Sequence, residues 1–270
     1  MKKESLTLRF LYSSFIGRVL LKIITLPIFS KFIGFFLSTR FSKLFIKRFV
    51  LKNGIQLEEY EKVNYKSFNA FFTRQIKKEK RKISQNVGNF IAPCDGFLKV
   101  YDIKKGLIFP VKQSYYSVSS LLQNEVLAKN YQEGYCLVYR LCVNHYHRYC
   151  YLDEGYHKSP IFIKGRLHTV RPIALENVAV FSENSREYTL LETKHFGEII
   201  QIEVGALCVG KIKNYHKEYH FKKGEEKGMF LFGGSTIIVL VKKEQVKILS
   251  EFLEDKEILV KMGEKIGEKR

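Results

Sequence analysis

The sequence predicts an α+β protein in which amphipathic N-terminal helices precede a compact, β-rich domain of sandwich or barrel type. Polar residues recur at helical spacing between Leu8 and Leu26. From about Asn89 onward, short β-branched and aromatic runs alternate with Gly, Asn and charged turns. With 270 residues, 46% of them apolar, the chain is long enough to bury a core of its own.

Basic charge is concentrated near the N-terminus. The chain has 46 Lys and Arg against 27 Asp and Glu, a net charge of +19. Residues 1–57 contain eleven of the basic residues and one acid, Glu4, for a net +10. Such a surplus predicts an anionic partner, and its place beside apolar helices favours an anionic membrane surface over nucleic acid.

The first helix is predicted over Leu8 to Leu26, where Pro27 interrupts it, and Ser30 is a candidate cap for a second helix with the same polar stripe. No stretch of about 20 residues is free of charge, and no signal-peptide cleavage site follows a clean apolar run. We therefore expect residues 1–64 to form a helical membrane-association region that lies in the membrane interface. The alternative is a pair of helices packed on the protein's own core.

Three shorter segments lead into the β-rich domain. Tyr65 to Arg74 is predicted as a short helix with Ser67 as its N-cap. The basic run Lys77 to Lys82 is predicted to be a solvated connector. Phe90 to Leu98 is predicted as a hairpin with Asp95 and Gly96 at the turn, and on this local pattern Asp95 is a turn former.

Tyr139 to Cys150 is predicted to be a strand with a histidine-rich exit. His145 and His147 occupy alternate positions, as half of a metal site does, but no carboxylate or third histidine stands at a recognisable spacing, so no metal is expected. A histidine acts instead as a general base when it has a partner carboxylate and a target. The five cysteines contain no C-x-x-C pair, which favours a reducing, cytosolic setting.

Glycine-punctuated short strands continue from His195 to a Gly233-Gly234-Ser235 sequence inside an apolar β-type run. Its common interpretation is a turn or bulge. The chemical alternative is a self-cleavage site: the Ser235 hydroxyl attacks the Gly234 carbonyl carbon, an ester forms, and elimination leaves a residue that becomes an N-terminal pyruvoyl group. Because serine is a weak nucleophile, this chemistry requires a base and a group that orients it.

The remainder, Lys242 to Arg270, is predicted to form one further strand or helix and a charged, frayed tail.

Taken together, separate blocks resemble the phosphatidylserine decarboxylases from about Phe68 to Leu240. They occur in the family's order, which makes chance agreement very unlikely. The blocks are Phe71-Phe72-Thr73-Arg74, Pro93-Cys94-Asp95-Gly96, Tyr146-His147-Arg148, Val170-Arg171-Pro172, Asn184-Ser185-Arg186, Val204-Gly205-Ala206 with Val209-Gly210, and Lys223-Gly224-Glu225 leading to Phe232-Gly233-Gly234-Ser235-Thr236.

The resemblance implies that Ser235 is the self-cleaving residue and the precursor of a covalent pyruvoyl cofactor, that His147 is the base, and that Asp95 orients and charges it. It implies a catalytic domain over residues 65–270, cleaved between Gly234 and Ser235. The two chains, 1–234 and 235–270, are then expected to form a heterodimer that can dimerise further.

In the implied reaction, the pyruvoyl group forms a Schiff base with phosphatidylserine, carbon dioxide leaves, and phosphatidylethanolamine is released. The expected location is that of a peripheral membrane protein at the cytoplasmic face of the cell membrane.

The chain departs from the family pattern in three places. Cys150 stands where family members often have a second histidine, three residues after the first. Asn144-His145 replaces a more usual polar pair, and Gln113 stands where a glycine often follows the lysine. Arg148 and Arg186 are candidates for holding a phosphate group.

Three alternatives remain open at the level of sequence. The first is a non-catalytic, basic peripheral protein that binds membrane lipid or nucleic acid and leaves its chain intact. The second is a carrier module, for which no exposed lysine at a hairpin tip is found. The third is a pyruvoyl enzyme acting on a soluble amino acid, which the membrane-seeking N-terminus disfavours.

Overall fold

The computed structural model describes residues 6–104, 106, 108–111, 114–207, 212–231 and 235–270. The predicted order of helices followed by a β-rich domain is confirmed. The N-terminal helices are α1 (Leu6–Ser13), α2 (Phe15–Ile24), α3 (Pro27–Ser38), α4 (Leu44–Asn53) and α5 (Phe68–Phe72). Short 3-10 turns lie at Arg40–Lys43, Leu57–Glu59 and Lys78–Lys80.

The strands and remaining helices begin at Asn89. In chain order they are β1 (Asn89–Ile91), β2 (Gly96–Asp102), β3 (Ile108–Val111), β4 (Ser114–Ser117), α6 (Val118–Leu122), α7 (Glu125–Lys129), β5 (Tyr135–Leu141), β6 (Arg148–Cys150), β7 (Gly155–His157), β8 (Ile161–Ile163), α8 (Pro172–Asn177), α9 (Val180–Glu183), β9 (Arg186–Thr193), β10 (Gly197–Val204), β11 (Ile212–Asn214), β12 (Tyr219–Phe221), β13 (Glu226–Phe230), β14 (Ser235–Val241), β15 (Val246–Ile248), β16 (Ile258–Val260) and β17 (Lys265–Lys269). A fourth 3-10 turn lies at Ser250–Leu253.

A large antiparallel sheet forms the centre of the protein. Its strand order is β12-β7-β9-β10-β14-β5-β2-β16, with β8 paired to β9. Every residue of β14 is buried, which explains why its sequence is a continuous apolar run and does not alternate. Smaller sheets, β11-β13-β6 and β1-β17-β15, accompany the large one.

The small β11-β13-β6 sheet lies against one face of the large sheet. Lys227 of β13 contacts Glu203 of β10 at 2.9 Å, and both side chains are fully buried. Glu203 is opposite Ile237 in the pairing of β10 with β14. Since side chains two residues apart share a face, Ser235 is on the face that the small sheet covers.

The N-terminal helices differ in detail from the prediction. The helix expected over Leu8 to Leu26 is broken at Ser14, whose Oγ accepts a hydrogen bond from the Gly17 amide and caps α2. Pro27 begins α3, because a proline at the first helical position sacrifices no hydrogen bond. Ser30 is therefore buried inside α3 and does not cap it.

Specific hydrogen bonds attach these helices to the β-rich domain. The Leu167 amide donates to the Thr25 carbonyl at 2.9 Å, and the Tyr12 hydroxyl lies 3.3 Å from Nδ1 of His168. Asn69 of α5 donates to the Gly34 carbonyl of α3 at 3.1 Å. The predicted cap of α5 is confirmed, since Ser67 Oγ accepts from the Ala70 amide. The domain boundary at residues 64 and 65 stays a prediction.

None of the described helices is by itself long and apolar enough to cross a bilayer. Phe15–Ile24 and Pro27–Ser38 have the length and composition only when taken together, and they are bent by 64° at their junction.

Two predictions about strand pairing are wrong. The segment Phe90 to Leu98 is not a hairpin, because β1 pairs with β17 whereas β2 pairs with β5 and β16. The C-terminal segment is not a frayed tail, because β16 extends the large sheet and β17 lies between β1 and β15. In both cases the partner strand is distant in sequence, so local pattern carries no information about it.

We therefore expect Ile266→Ala to lower the free energy of unfolding by about 2–4 kcal/mol, because Ile266 of β17 is fully buried. Lys269→Ala, on an exposed side chain of the same strand, is the matched control and should change stability by less than about 0.5 kcal/mol. Equilibrium urea unfolding measures both. Equal, small effects would mean that the C-terminal strand is frayed in solution.

Candidate functional site

Ser235 is the first residue of the central strand β14 and is completely buried. Its backbone is opposite Leu141, the last residue of β5. Within the described part of the chain, its Oγ has no hydrogen-bond partner. A buried hydroxyl without a partner costs about 1–3 kcal/mol. The fold therefore retains an unsatisfied nucleophilic atom at the start of a fully buried strand.

Gly234, the other half of the predicted cleavage site, lies outside the described residues, as do Gly233 and Gln113.

Chain topology brings His147 to the same end of the sheet. Residues 142–147 connect β5 to β6, and residues 231–234 connect β13 to β14. Because β5 pairs with β14 and β6 pairs with β13, the end of β5 lies beside the start of β14, and the start of β6 lies beside the end of β13. The Phe230 amide donates to the His147 carbonyl at 2.9 Å. The predicted base therefore lies beside Phe230, the last residue of β13.

His147 is 1% exposed, and its ring position is set by its neighbours. Nδ1 is 2.9 Å from the His145 carbonyl oxygen. Because a carbonyl only accepts, Nδ1 carries the proton of the neutral ring and Nε2 has the lone pair that a general base needs. The Phe72 ring packs on the imidazole with centroids 4.2 Å apart.

Asp95 lies directly before β2, whose start is two strand spacings, about 10 Å, from β14. Its carboxylate accepts from Arg81 Nε at 2.7 Å, from Arg81 Nη2 at 2.5 Å, and from the Met262 amide at 2.9 Å. The hydrogen bond that orients the His147 ring runs from its Nδ1 to the His145 carbonyl oxygen and not to Asp95. The role of Asp95 toward His147 stays a prediction.

Arg74 holds the loop that carries His147. Its side chain is 1% exposed and donates to the carbonyls of Asn144 at 3.1 Å and His145 at 3.3 Å. The guanidinium carbon lies 4.3 Å from the centroid of the Tyr60 ring. The sequence predicted only a short helix here and did not indicate this role. The available signal was an arginine that follows two phenylalanines, because an arginine beside buried residues needs hydrogen-bond acceptors.

Arg81 was also missed, because it falls in the run predicted to be a solvated connector. It is 8% exposed and forms a salt bridge with Asp95. The two residues are 14 positions apart, and no local pattern relates them.

The two arginines considered for phosphate binding are engaged elsewhere. Arg186 is 1% exposed, and burial lowers its pKa to about 10. Its donors go to backbone carbonyls, those of Leu121, Ser182, Asn184 and Ser120. Arg148 donates to the Thr73 carbonyl and to Glu226. Arg186 therefore supports the backbone and does not fit the suggested phosphate site.

Two side chains near Asp95 have strongly shifted pKa values. Burial lowers the pKa of His145 to about 4, with Asp95 opposing the shift, and its Nδ1 accepts from the Cys142 amide at 3.2 Å. Burial raises the pKa of Cys150 to about 12. The Cys150 thiol is therefore protonated at neutral pH and does not replace a histidine as a base.

A buried polar network lies on the same face of the sheet as Ser235. Lys227 Nζ contacts Glu203 Oε1 and Asn214 Oδ1, each at 2.9 Å. Asn214 in turn donates to Glu187 at 2.7 Å and to Glu203 at 3.1 Å. These bonds join β13 of the small sheet to β10 of the large sheet. They therefore fix the positions of two strands near Ser235, one from each sheet.

Comparison with known proteins matches this chain along most of its length. Residues 68–268 match the model of the family described as phosphatidylserine decarboxylase. The phosphatidylserine decarboxylase proenzyme 2 of Clostridium acetobutylicum is 48% identical over 266 residues, which cover 97% of this chain and 91% of that protein. The proenzyme of Clostridium botulinum strain 657 is 41% identical over 273 residues, covering 97% and 92%. That of Clostridium kluyveri is 40% identical over 270 residues, covering 96% and 91%.

The lowered pKa of His145 predicts acid sensitivity of the fold. Between the unfolded-state pKa of about 6.5 and the folded-state value of about 4, the unfolded chain binds a proton that the folded chain does not. Stability is therefore lost as pH falls through this window. We expect His145→Gln to reduce the loss between pH 7.5 and 5, measured by urea unfolding.

The loss should not disappear completely, because burial also lowers the pKa of His168 to about 4. An NMR titration in which the His145 ring takes up its proton near pH 6.5 would contradict the assignment.

Proposed function

The chain belongs to the phosphatidylserine decarboxylase family, and we propose that it acquires its activity by cutting itself between Gly234 and Ser235. The observation that carries the proposal is the completely buried Ser235 Oγ, which has no hydrogen-bond partner among the described residues. The similar Clostridium proteins are named proenzymes, which is consistent with a chain made as a precursor.

In the proposed first step, Ser235 Oγ attacks the carbonyl carbon of Gly234. Nε2 of His147 takes the hydroxyl proton, since Nδ1 already carries one, and the peptide nitrogen leaves with a proton as the ester forms. Loss of the Ser235 α-proton then expels Gly234 as a carboxylate and leaves dehydroalanine. After tautomerisation, water adds, ammonia departs, and residue 235 becomes an N-terminal pyruvoyl group.

The strand pairing of β14 can hold the two chains together after the cut. β14 is paired to β5 from Ser235 to Val241 and to β10 from Thr236 to Leu240. These pairings do not require the bond between residues 234 and 235. The chains 1–234 and 235–270 therefore stay together after the cut, which gives the heterodimer proposed for the mature enzyme.

Asp95 is proposed to act on His147 by its charge. When His147 takes the serine proton it becomes a cation, and a carboxylate at the same end of the sheet stabilises that cation through the low-dielectric interior. This role requires that Asp95 be ionised; it does not require a hydrogen bond between the two side chains.

The proposed reaction is the decarboxylation of phosphatidylserine to phosphatidylethanolamine. The pyruvoyl group supplies a ketone carbon that takes the substrate amine and an electron sink for the loss of carbon dioxide. The protein's part is to exclude water around residue 235, through β5, β10 and the small sheet. His147 then returns a proton to the substrate carbon that has lost its carboxylate.

We further propose that the N-terminal helices hold the enzyme on an anionic membrane, as a peripheral protein at the cytoplasmic face of the cell membrane. They expose large apolar side chains, including Phe15 (77%), Ile28 (74%), Phe35 (73%) and Leu44 (82%). Basic residues stand among them, as on α4, where Lys47, Arg48 and Lys52 accompany Leu44 and Leu51. A reducing compartment is consistent with the free thiols of Cys94, Cys136, Cys142 and Cys150.

The helices are also connected to the proposed base. Leu37 of α3 packs in one cluster with Phe68 and Phe72, and Phe72 contacts the His147 ring. A diacyl substrate held at the helices would therefore have its headgroup on the side of the molecule where residue 235 lies.

Intact-mass spectrometry tests the cleavage. The wild-type chain should give two species, residues 1–234 and residues 235–270 with a pyruvoyl end, whereas Ser235→Ala should stay whole. Thr236→Val is the matched control, since Thr236 is also fully buried with an unpartnered hydroxyl but should leave the cut in place.

An uncut wild-type chain under all conditions would overturn the proposal and favour the non-catalytic lipid-binding alternative. With cleavage established, carbon dioxide release from phosphatidylserine and not from free serine would establish the substrate.

Vesicle sedimentation tests the membrane proposal. Changing Lys47, Arg48 and Lys52 together to Gln should weaken binding to anionic vesicles at least tenfold, at about 1 kcal/mol for each charge near the surface. The matched control changes three exposed lysines of the C-terminal segment, Lys247, Lys256 and Lys261, and should bind as the wild type does. Equal weakening by both sets would indicate an unspecific effect of net charge.

A further inference from the structure

Arg81 is not one of the proposed catalytic residues, but it contacts one of them, Asp95, directly. Its Nε and Nη2 donate to the two carboxylate oxygens of Asp95 at 2.7 and 2.5 Å. The two side chains are only 5% and 8% exposed. A buried, bidentate, charge-assisted pair of this kind defines both the charge and the orientation of the carboxylate.

The other contacts of Arg81 are weaker or neutral. Its Nη1 donates to the Lys80 carbonyl at 2.8 Å and lies 3.6 Å from Glu59, a carboxylate that is 23% exposed. Asp95, in turn, accepts a third hydrogen bond from the Met262 amide. Within the described ranges, Asp95 is thus the principal partner of Arg81, and Arg81 is the cation that contacts Asp95.

Apart from His147, on which Asp95 is proposed to act, the remaining titratable groups around Asp95 supply no positive charge at neutral pH. They are Cys94, His145, Tyr146 and Cys150. Burial raises the pKa of the two thiols and the phenol and lowers that of the imidazole, so all four are neutral near pH 7. Removing the cation from a buried ion pair leaves the carboxylate uncompensated, which is strongly destabilising.

We propose that Arg81 is a positioning residue for self-cleavage, which pairs with the Asp95 carboxylate and holds it in one orientation at the end of the sheet where β14 begins. The inference rests on the proposed self-cleavage and on the electrostatic role of Asp95. It assigns a function to a segment whose sequence predicts only a solvated connector.

The first experiment follows the cutting of freshly synthesised precursor over time between pH 6 and 9. Arg81→Gln should slow the cut roughly a hundredfold at pH 7. Arg81→Lys, which keeps the charge but not the bidentate bond, should be intermediate. Asp95→Asn should be slow at every pH.

Lys80→Gln is the matched control, because it removes one positive charge at the exposed neighbouring position and should cut at the wild-type rate. A wild-type rate for Arg81→Gln, or a rate for Arg81→Lys as slow as that of Arg81→Gln, would overturn the proposal. An uncut wild-type chain would instead contradict self-cleavage itself, so the two failures are distinguishable.

The second experiment does not depend on cleavage. In the Ser235→Ala chain, Arg81→Gln should lower the stability to urea, since it leaves the buried Asp95 carboxylate without its cation. Adding Asp95→Asn should recover part of this loss. A loss that is the same with and without Asp95→Asn would show that Arg81 serves packing alone.

Discussion

The structure depends on one constraint: a serine hydroxyl and an imidazole must be kept buried at the end of a central strand. Burial there excludes water, but it also makes every uncompensated polar group costly. Two buried carboxylates around β14 are accordingly paired with cations. Glu203 is paired with Lys227, and Asp95 with Arg81. The Oγ of Ser235, like the hydroxyl of Thr236 beside it, has no hydrogen-bond partner among the described residues, and of the two only Ser235 is on the face of the sheet that carries the Glu203–Lys227 pair.

Arginine pairing is the means by which distant segments shape the site. Arg74 holds the carbonyls of the loop before His147, and Arg81 holds Asp95. Both residues come from the short stretch between the N-terminal helices and the first strand. Because an arginine presents several donors in a rigid plane, each can fix a loop or a carboxylate that regular secondary structure leaves free. This stretch therefore connects the proposed membrane-bound region to the candidate catalytic residues.

Several elements were predictable because their causes are local. Ser67 caps α5 by accepting a hydrogen bond from the amide three residues later, as predicted. The helix starts at Ser14 and Pro27 were not predicted, although their causes, side-chain capping and the fixed geometry of proline, are also local. Pairing was less predictable. Asp95 and Gly96 have the composition of a hairpin turn, yet β1 finds its partner in β17, at the other end of the chain. The partner of an antiparallel strand is selected by burial of the whole sheet, which no short window contains.

The sequence by itself determined the order of helices and strands, the family and the identity of the candidate residues Ser235, His147 and Asp95, because periodicity and motif are written along the chain. Only the tertiary structure decided how those residues are held. The His145 carbonyl orients His147, and Arg81 holds Asp95. Cys150 is a buried, protonated thiol. These facts depend on distance and dielectric environment, which arise only when segments far apart in sequence are packed together.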